Sequence, residues 1–494
     1  MQAPHFPLSR VAGAAFIVLA TVVVSCRERE EPTAPRVQAA VSSAATTVTS
    51  VVPDSSKRGV NLDITVNGSG FDEGSVVQLE RQGVPAAGIT TNVTTFITPA
   101  KLTANITIAA DADTGKYDVA VTTAGGRKGV GVELLTVLYQ LVDVGVIAGN
   151  WSVAVAINDL GQVAGTSCVE ECHGTMDPPP TPAHAFFWTE SGGIEDLGTL
   201  PGYPRSAAYD INNLGQVLGD VHCELIDPGC PPTGSGEMVL WQKASDRWTV
   251  TRLGVPLFLL GLADINNSGQ FVAVGSVYSL TGGLAVGEAL PSLDPAPAVV
   301  VAFAINDAGI VAGESIAMDE IGTGEALVWF RDQAGTWRIL RLGALPGHNI
   351  SAATDIGEID AAGRIRVVGR SGEAGVIHGR SRRPSGYHPV RWTLESDGAG
   401  GWRVAEREGL QLPRRLPDAQ ASAVNTAGEV AGYYLNRQIV YDAAKWLTTG
   451  SLETLPSPGF GAARARDIDE GGRIVGSVWD EATGSERAAL WRLQ

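Results

Sequence analysis

From residue 139 onward the chain repeats one short pattern of apolar and polar positions. It reads AINDLGQVAG from Ala156, DINNLGQVLG from Asp210, DINNSGQFVAVG from Asp264, AINDAGIVAG from Ala304, EIDAAGRIRVVG from Glu358, AVNTAGEVAG from Ala423 and DIDEGGRIVG from Asp467. In each copy an apolar stretch ends at Asn or Asp, a glycine turn follows (Gly161, Gly215, Gly269, Gly309, Gly363, Gly428, Gly471), and a second apolar stretch begins. Strand-like stretches on both sides of so tight a turn predict a β-hairpin, with glycine supplying the positive φ. The repeated apolar residues Ile157, Ile211, Ile265, Ile305, Ile359, Val424 and Ile468 are separated by 54, 54, 40, 54, 65 and 44 residues. Those intervals bracket the ~40–50 residues of a propeller blade with loop insertions.

A third strand follows in six copies and ends at Trp188, Trp241, Trp329, Trp392, Trp446 or Trp491, and a fourth such as IEDLGTL closes the unit. The third copy, over 277–300, lacks the tryptophan. RAALWRLQ at 487–494 reads as a third strand, whereas YQLVDVGVI at 139–147 precedes the first copy and reads as an unpaired fourth strand. Together they predict one completed unit and a sealed ring with only short edges exposed. A linear solenoid would want more uniform repeats and capping ends. The motifs resemble the bacterial HAF-type extracellular repeat, whose order is LGTL-G, AINxxGQVVG, HAFxW, a family without a settled biochemical role. The expected fold of 139–494 is a seven-bladed β-propeller.

Residues 46–138 alternate apolar and polar positions in short runs, LDITV at 62–66, SVVQL at 75–79, LTANITI at 102–108 and YDVAVTT at 117–123, separated by turn residues. This is the pattern of a β-sandwich. Gly68, Gly70 and Phe71, in VNGSGFDEGSVVQL, with the later GKYDVAVTT, resemble the IPT/TIG family of immunoglobulin-like domains. The resemblance implies a spacer or binding module and brings no catalytic residues. The whole chain is thus expected to be all-β, with no long amphipathic helical pattern.

At the N-terminus an apolar run, VAGAAFIVLATVVV at 11–24, ends at Ser25-Cys26 and reads as a signal peptide over 1–25. Its 14 residues fall short of the ~20 a spanning helix needs. VVSC resembles the lipobox of bacterial lipoproteins, which implies acylation of Cys26 and cleavage before it. An ordinary secretory signal is the alternative. No Asp follows Cys26, so an outer-membrane or cell-surface location is expected, with residues 26–45 a flexible Pro/Ala/Ser-rich tether.

Charge removes one class of partner. With 36 Lys+Arg against 53 Asp+Glu the net charge is −17, which repels nucleic-acid phosphates. Gly 60, Pro 27 and 44% hydrophobic residues describe a turn-rich globular chain.

The other cysteines fall in two corresponding loops, Cys168 with Cys172 and Cys223 with Cys230. Export favours disulfides, and the local pairing is preferred, although bridging between the loops is open. A zinc site with His173 and His222 is the alternative. Asp111 and Asp113 in DADTG, and Asp264, Asn266 and Ser268, mimic calcium loops, but turns explain both and no bidentate acid follows the second. His184 and His388 begin third strands where other copies carry Glu237, Glu325, Asp442 and Arg487, a polar strand start rather than a catalytic set. No catalytic motif, metal site or cofactor is expected.

With the first strand innermost, the long loops (166–182, 220–236, 370–387) and the Pro-Gly loops LPGYPRSA, LPGHNISA and LPSPGFGA share one face. A ligand is expected there and at the channel mouth. The expectation is a lipid-anchored, surface-displayed binding or scaffolding protein for an unknown extracellular protein or glycan. A propeller enzyme acting on polysaccharide or peptide, with acids converging from several blades, is the rival, and a purely structural envelope component is a third reading.

Overall fold

Period-two alternation becomes strand throughout: no helix occurs among the described residues. The computed structural model describes residues 45–493 except 82, 110–111, 113, 173–181, 224–229, 231–235, 257–262, 282–283, 294–297, 318–323, 374–375, 378–379, 382–385, 414–417, 437, 439 and 458. The signal segment, Cys26, nearly all of the tether, Asp111, Asp113, His173 and much of the long loops lie outside the described residues.

Two sheets open the chain. Thr47–Val52, Val60–Ser69, Lys101–Ile108 and Ile89–Thr98 form one, and a five-stranded sheet from Ser55–Ser56 to Lys128–Val137 forms the other. Alternate residues of both meet in one core, with Ile64, Val66, Leu102 and Ile106 facing Val77, Leu79, Val119 and Val121. Phe71 closes this core, and Gly70 takes φ 74° beside it.

From 139 to 493 the described residues form seven four-stranded antiparallel sheets, numbered here from the one beginning at Ser152. Their first strands are Ser152–Ile157, Arg205–Ile211, Ala263–Ile265, Ala298–Ile305, Ile350–Ile356, Ala419–Val424 and Ala463–Ile468. Each first strand contacts the next, and the seventh contacts the first, so these strands line a central channel. The ring is a β-propeller. Its last sheet takes an outer strand from the start of the ring: Tyr139–Gly145 pairs with Ser485–Leu493, with Tyr139 opposite Leu493 and Leu141 opposite Trp491.

Five of the tryptophans face the first residue of the second strand, as in Val217 with Trp241 and Val311 with Trp329, whereas Trp392 faces Val367; they pack between neighbouring sheets. A Cβ at Gly219 would collide with the carbonyl of Ala207 and with the Trp241 ring, which is why that strand carries glycine there. Sheet 3 has Phe271 opposite Tyr278, their rings stacked at 5.0 Å. Its second and third strands are joined through Val274 and Gly275, both at positive φ, in place of a long loop. This tight hairpin accounts for the shortest repeat interval.

Two repeats depart from the pattern expected from their sequence. In sheet 5 the buried repeat residue is Ile356, while Ile359 is 42% exposed. Residues 357–363 form a longer turn, in which Asp360 accepts from Ala362 N and Arg364 N and imitates the motif three residues too late. In sheet 7 the positive φ, 74°, belongs to Gly472 and not Gly471.

The sandwich joins the ring directly. Only Leu138 separates Lys128–Val137 from Tyr139–Gly145, and Arg81 pairs with Glu453 at 3.1 Å while lying over the Tyr117 ring.

Candidate functional site

The turn at the end of each first strand is also a clasp between sheets. Asn158 accepts Leu160 N and Gln162 N on its own Oδ1 and donates from Nδ2 to Asn212 O. Asn212 reaches Asn266 O, Asn266 reaches Asn306 O, Asn306 reaches Gly357 O, and Asn425 reaches Asp469 O. A second belt runs beside it, the main-chain N–H of Asp159, Asn213, Asn267 and Asp307 donating to Asn213, Asn267, Asp307 and Glu358 respectively. The ring closes where Glu470 N donates to Asp159 and Arg473 donates to Asp159 O.

Inside the belts lie four acids, Asp210, Asp264, Asp355 and Asp467, each just before the repeated Ile. Each accepts a main-chain N–H from the next sheet, Ile265, Ile305, Val424 and Ile157 respectively, at 2.6–2.8 Å. Burial raises Asp264 well above its ordinary value, reinforced by the charge of Asp210 beside it. Burial likewise raises Asp355, to about 6, and Asp467, with Asp210 adding to both. The apparent calcium loop is absorbed here: Asp264 holds Ile305 N, and Asn266 holds Ser268 and Gln270 in its turn. Among the described residues no group of His, Cys, Asp and Glu is placed to hold a metal ion.

On the long-loop side of this acid ring the channel widens into a cavity of about 580 Å³. Its wall arises from a repeated irregularity. Six first strands slip register by one residue just before the turn, between Ala154 and Ala156, Ala208 and Asp210, Ala302 and Ala304, Ala353 and Asp355, Ala421 and Ala423, and Ala465 and Asp467. Such a bulge re-aims the extra side chain. The extra residues, Val155, Tyr209, Phe303, Thr354, Ser422 and Arg466, all line the cavity, and Ala263 lines it from sheet 3. The first strands of sheets 1 to 4 therefore present aliphatic and aromatic side chains to the cavity, and those of sheets 5 to 7 polar ones.

Second strands add Glu314, Ile316, Arg370 and Tyr433. Glu314 is buried, and burial raises its carboxyl against the lowering pull of Arg370. Tyr209 donates to the buried Asp220 at 2.7 Å, and Asp220 also meets His222 Nδ1 at 3.1 Å. Burial raises the Tyr433 hydroxyl although Arg464, Arg466 and Arg370 oppose it.

The residues singled out in the sequence do not assemble here. Cys168 bonds Cys172 and Cys223 bonds Cys230, two local bridges on adjacent sheets. His184 pairs with Asp196, and His388 sits 5.0 Å from His348, on a different sheet. The cavity residues escaped sequence reading because their signal is contrast within the repeat: two places before the repeated Ile the side chain ranges from Ala263 to Arg466.

No protein-family model matches the chain, and no curated protein matches it. Among solved structures it is similar to a puromycin hydrolase variant complexed with PGG, at 11% identity and a TM-score of 0.33 over 82% of this chain and 59% of that one. The chain thus spans less than two thirds of that hydrolase. It is also similar to Aleuria aurantia lectin in complex with alpha-methyl-L-fucoside, at 9% identity and a TM-score of 0.25, covering 78% of this chain and 97% of the lectin. A further structure of that lectin is described as a six-bladed β-propeller and gives a TM-score of 0.26 at 10% identity. Likeness at this level carries no argument about activity.

Proposed function

We propose that this chain is a lipid-anchored, surface-displayed binding or scaffolding protein. In this reading a seven-bladed propeller is carried on an IPT/TIG-like immunoglobulin domain, tethered through Cys26, and takes an extracellular glycan or protein group into the channel from the long-loop face. The observation that supports binding is the cavity wall, where aliphatic and aromatic first-strand residues of sheets 1 to 4 meet polar ones of sheets 5 to 7, the composition of a recognition site on a rigid scaffold. Two disulfides at the long-loop face suit an exported protein.

The rival enzyme reading rests on one residue. Glu314 is the carboxylate among the described cavity-lining residues, and a raised acid in a cavity is a candidate general acid. Acting on a glycosidic bond, it would need a second carboxylate about 5–9.5 Å away.

The test is capture of glycans and envelope proteins by the full mature chain, followed by hydrolase assays on whatever binds. Binding without turnover, unchanged in kind by Glu314→Gln, is the expected result. Turnover abolished by Glu314→Gln overturns the non-catalytic reading. For the anchor, Cys26→Ala should release the protein from membranes; persistence in the membrane fraction overturns lipidation.

A further inference from the structure

We propose that the channel selects small organic carboxylates, the carboxylate held toward Arg370 and Arg466 and the apolar body against Tyr209 and Phe303. This inference rests on the binding reading and names its ligand class. Three observations carry it.

The first is the division of the wall. Tyr209 and Phe303 project from sheets 2 and 4, whereas Ser422 and Arg466 project from sheets 6 and 7, with Arg370 reaching in from sheet 5. A ligand filling about 580 Å³ must touch both halves, so it needs one apolar side and one polar end.

The second is the sign of the polar end. Among the described residues no carboxylate lies within ion-pair distance of Arg370, whose guanidinium instead lies 4.9 Å from the centre of the Tyr387 ring. Glu314 lines the same cavity from sheet 4 without being ion-paired to Arg370. A planar guanidinium matches a carboxylate with two parallel hydrogen bonds, and it is worth most in a partly dry cavity.

The third is orientation. The acid ring of Asp210, Asp264, Asp355 and Asp467 lies at the turn end of the same channel. The carboxyls of that ring accept main-chain N–H groups of neighbouring sheets and offer an anion no donor, so its seat is the arginine tier.

The experiment uses the full mature chain and ligand-observed NMR, with benzoate and D-glucuronate as probes, benzyl alcohol and D-glucose as their uncharged counterparts, and inorganic phosphate as an anion without a body. Both carboxylates should bind more tightly than their counterparts and than phosphate. Arg370→Gln and Arg466→Gln should each weaken carboxylate binding by about tenfold or more, the scale of one charge-assisted hydrogen bond, and leave the neutral probes unchanged. Arg370→Lys should retain part of the preference, and Phe303→Ala should weaken charged and neutral probes alike. Unchanged thermal midpoints establish that the arginine variants fold.

Failure of both carboxylates to bind at millimolar concentration overturns the proposal. So does binding indifferent to both arginine substitutions, or phosphate binding as tightly as the carboxylates. Neutral probes binding the cavity as well as the acids overturn carboxylate selection but leave the binding reading standing; turnover lost in Glu314→Gln does the reverse.

Discussion

Asn158 donates from its side-chain amide to the main-chain carbonyl of Asn212, 54 residues further along the chain, at 2.9 Å. The same side chain shapes its own turn through Leu160 N and Gln162 N. One residue therefore ends a strand and fastens one sheet to the next, which is why Asn recurs at that place in the repeat.

Removing such a clasp should cost more than a surface hydrogen bond. Asn212→Ala deletes the donor to Asn266 O and the acceptor for Leu214 N and Gln216 N, at a site 3% exposed. A loss of about 2–3 kcal/mol is expected, because buried partners are left unsatisfied. Asn213→Ala, in the outer belt, should cost about 0.5–1 kcal/mol. Thermal unfolding of the two variants checks the ranking.

The acid ring should make stability depend on pH. Burial raises Asp355 to about 6 and Glu358 to about 7, and raises Asp264 and Asp467 with Asp210 facing all three aspartates. A raised carboxyl favours the protonated folded state, so its contribution is complete below the unfolded value near 4 and is lost as pH rises through about 6 to 7. Asp72, Asp332 and Asp397, held low by main-chain N–H groups, act oppositely and lose their contribution as pH falls below about 4. The thermal midpoint should therefore peak near pH 5 and decline toward pH 8. Asp355 keeps some contact with channel water, so Asp355→Asn should flatten that decline by about 1–2 kcal/mol rather than by the full two-unit equivalent.

Sheet 3 depends on its substitute for tryptophan. Phe271 is buried at 1% exposure and stacks on Tyr278. Phe271→Ala should destabilise by about 3–5 kcal/mol through a cavity between sheets, whereas Tyr278→Phe, which keeps the ring, should stay within about 0.5 kcal/mol. Chemical denaturation of both variants tests it.

Ring closure can be locked. Gln140 faces Arg492 across the joined ends and bonds it at 2.7 Å, 352 residues away in sequence. The pair Gln140→Cys with Arg492→Cys should form a bridge that raises the unfolding midpoint, since the loop it closes is very long and the chain-entropy estimate exceeds about 4 kcal/mol. An unchanged midpoint between oxidised and reduced forms would count against the ring being held there.

The two native bridges close short loops, with sequence separations of 4 and 7. Each should contribute only about 2 kcal/mol. Cys223→Ser with Cys230→Ser should leave the fold intact and raise protease sensitivity of the adjacent loop, which limited proteolysis reads directly.

Strand content, the repeat and the complementarity of 139–147 with the C-terminal strand were legible in the sequence, because each rests on local alternation, turn glycine and spacing. The fifth unit misled because Asp360 builds the same local turn three residues after the strand has ended at Ile356. Only packing against neighbouring sheets distinguishes a buried Ile356 from an exposed Ile359.

The channel belongs wholly to the tertiary structure. A register slip of one residue in each of six strands turns Val155, Tyr209, Phe303, Thr354, Ser422 and Arg466 inward, and these positions lie as much as 311 residues apart. Local sequence determines that each segment is a strand ending in a clasped turn. Which side chains share the channel is decided only when seven first strands close a ring, because that closure joins residues no local interaction can bring together.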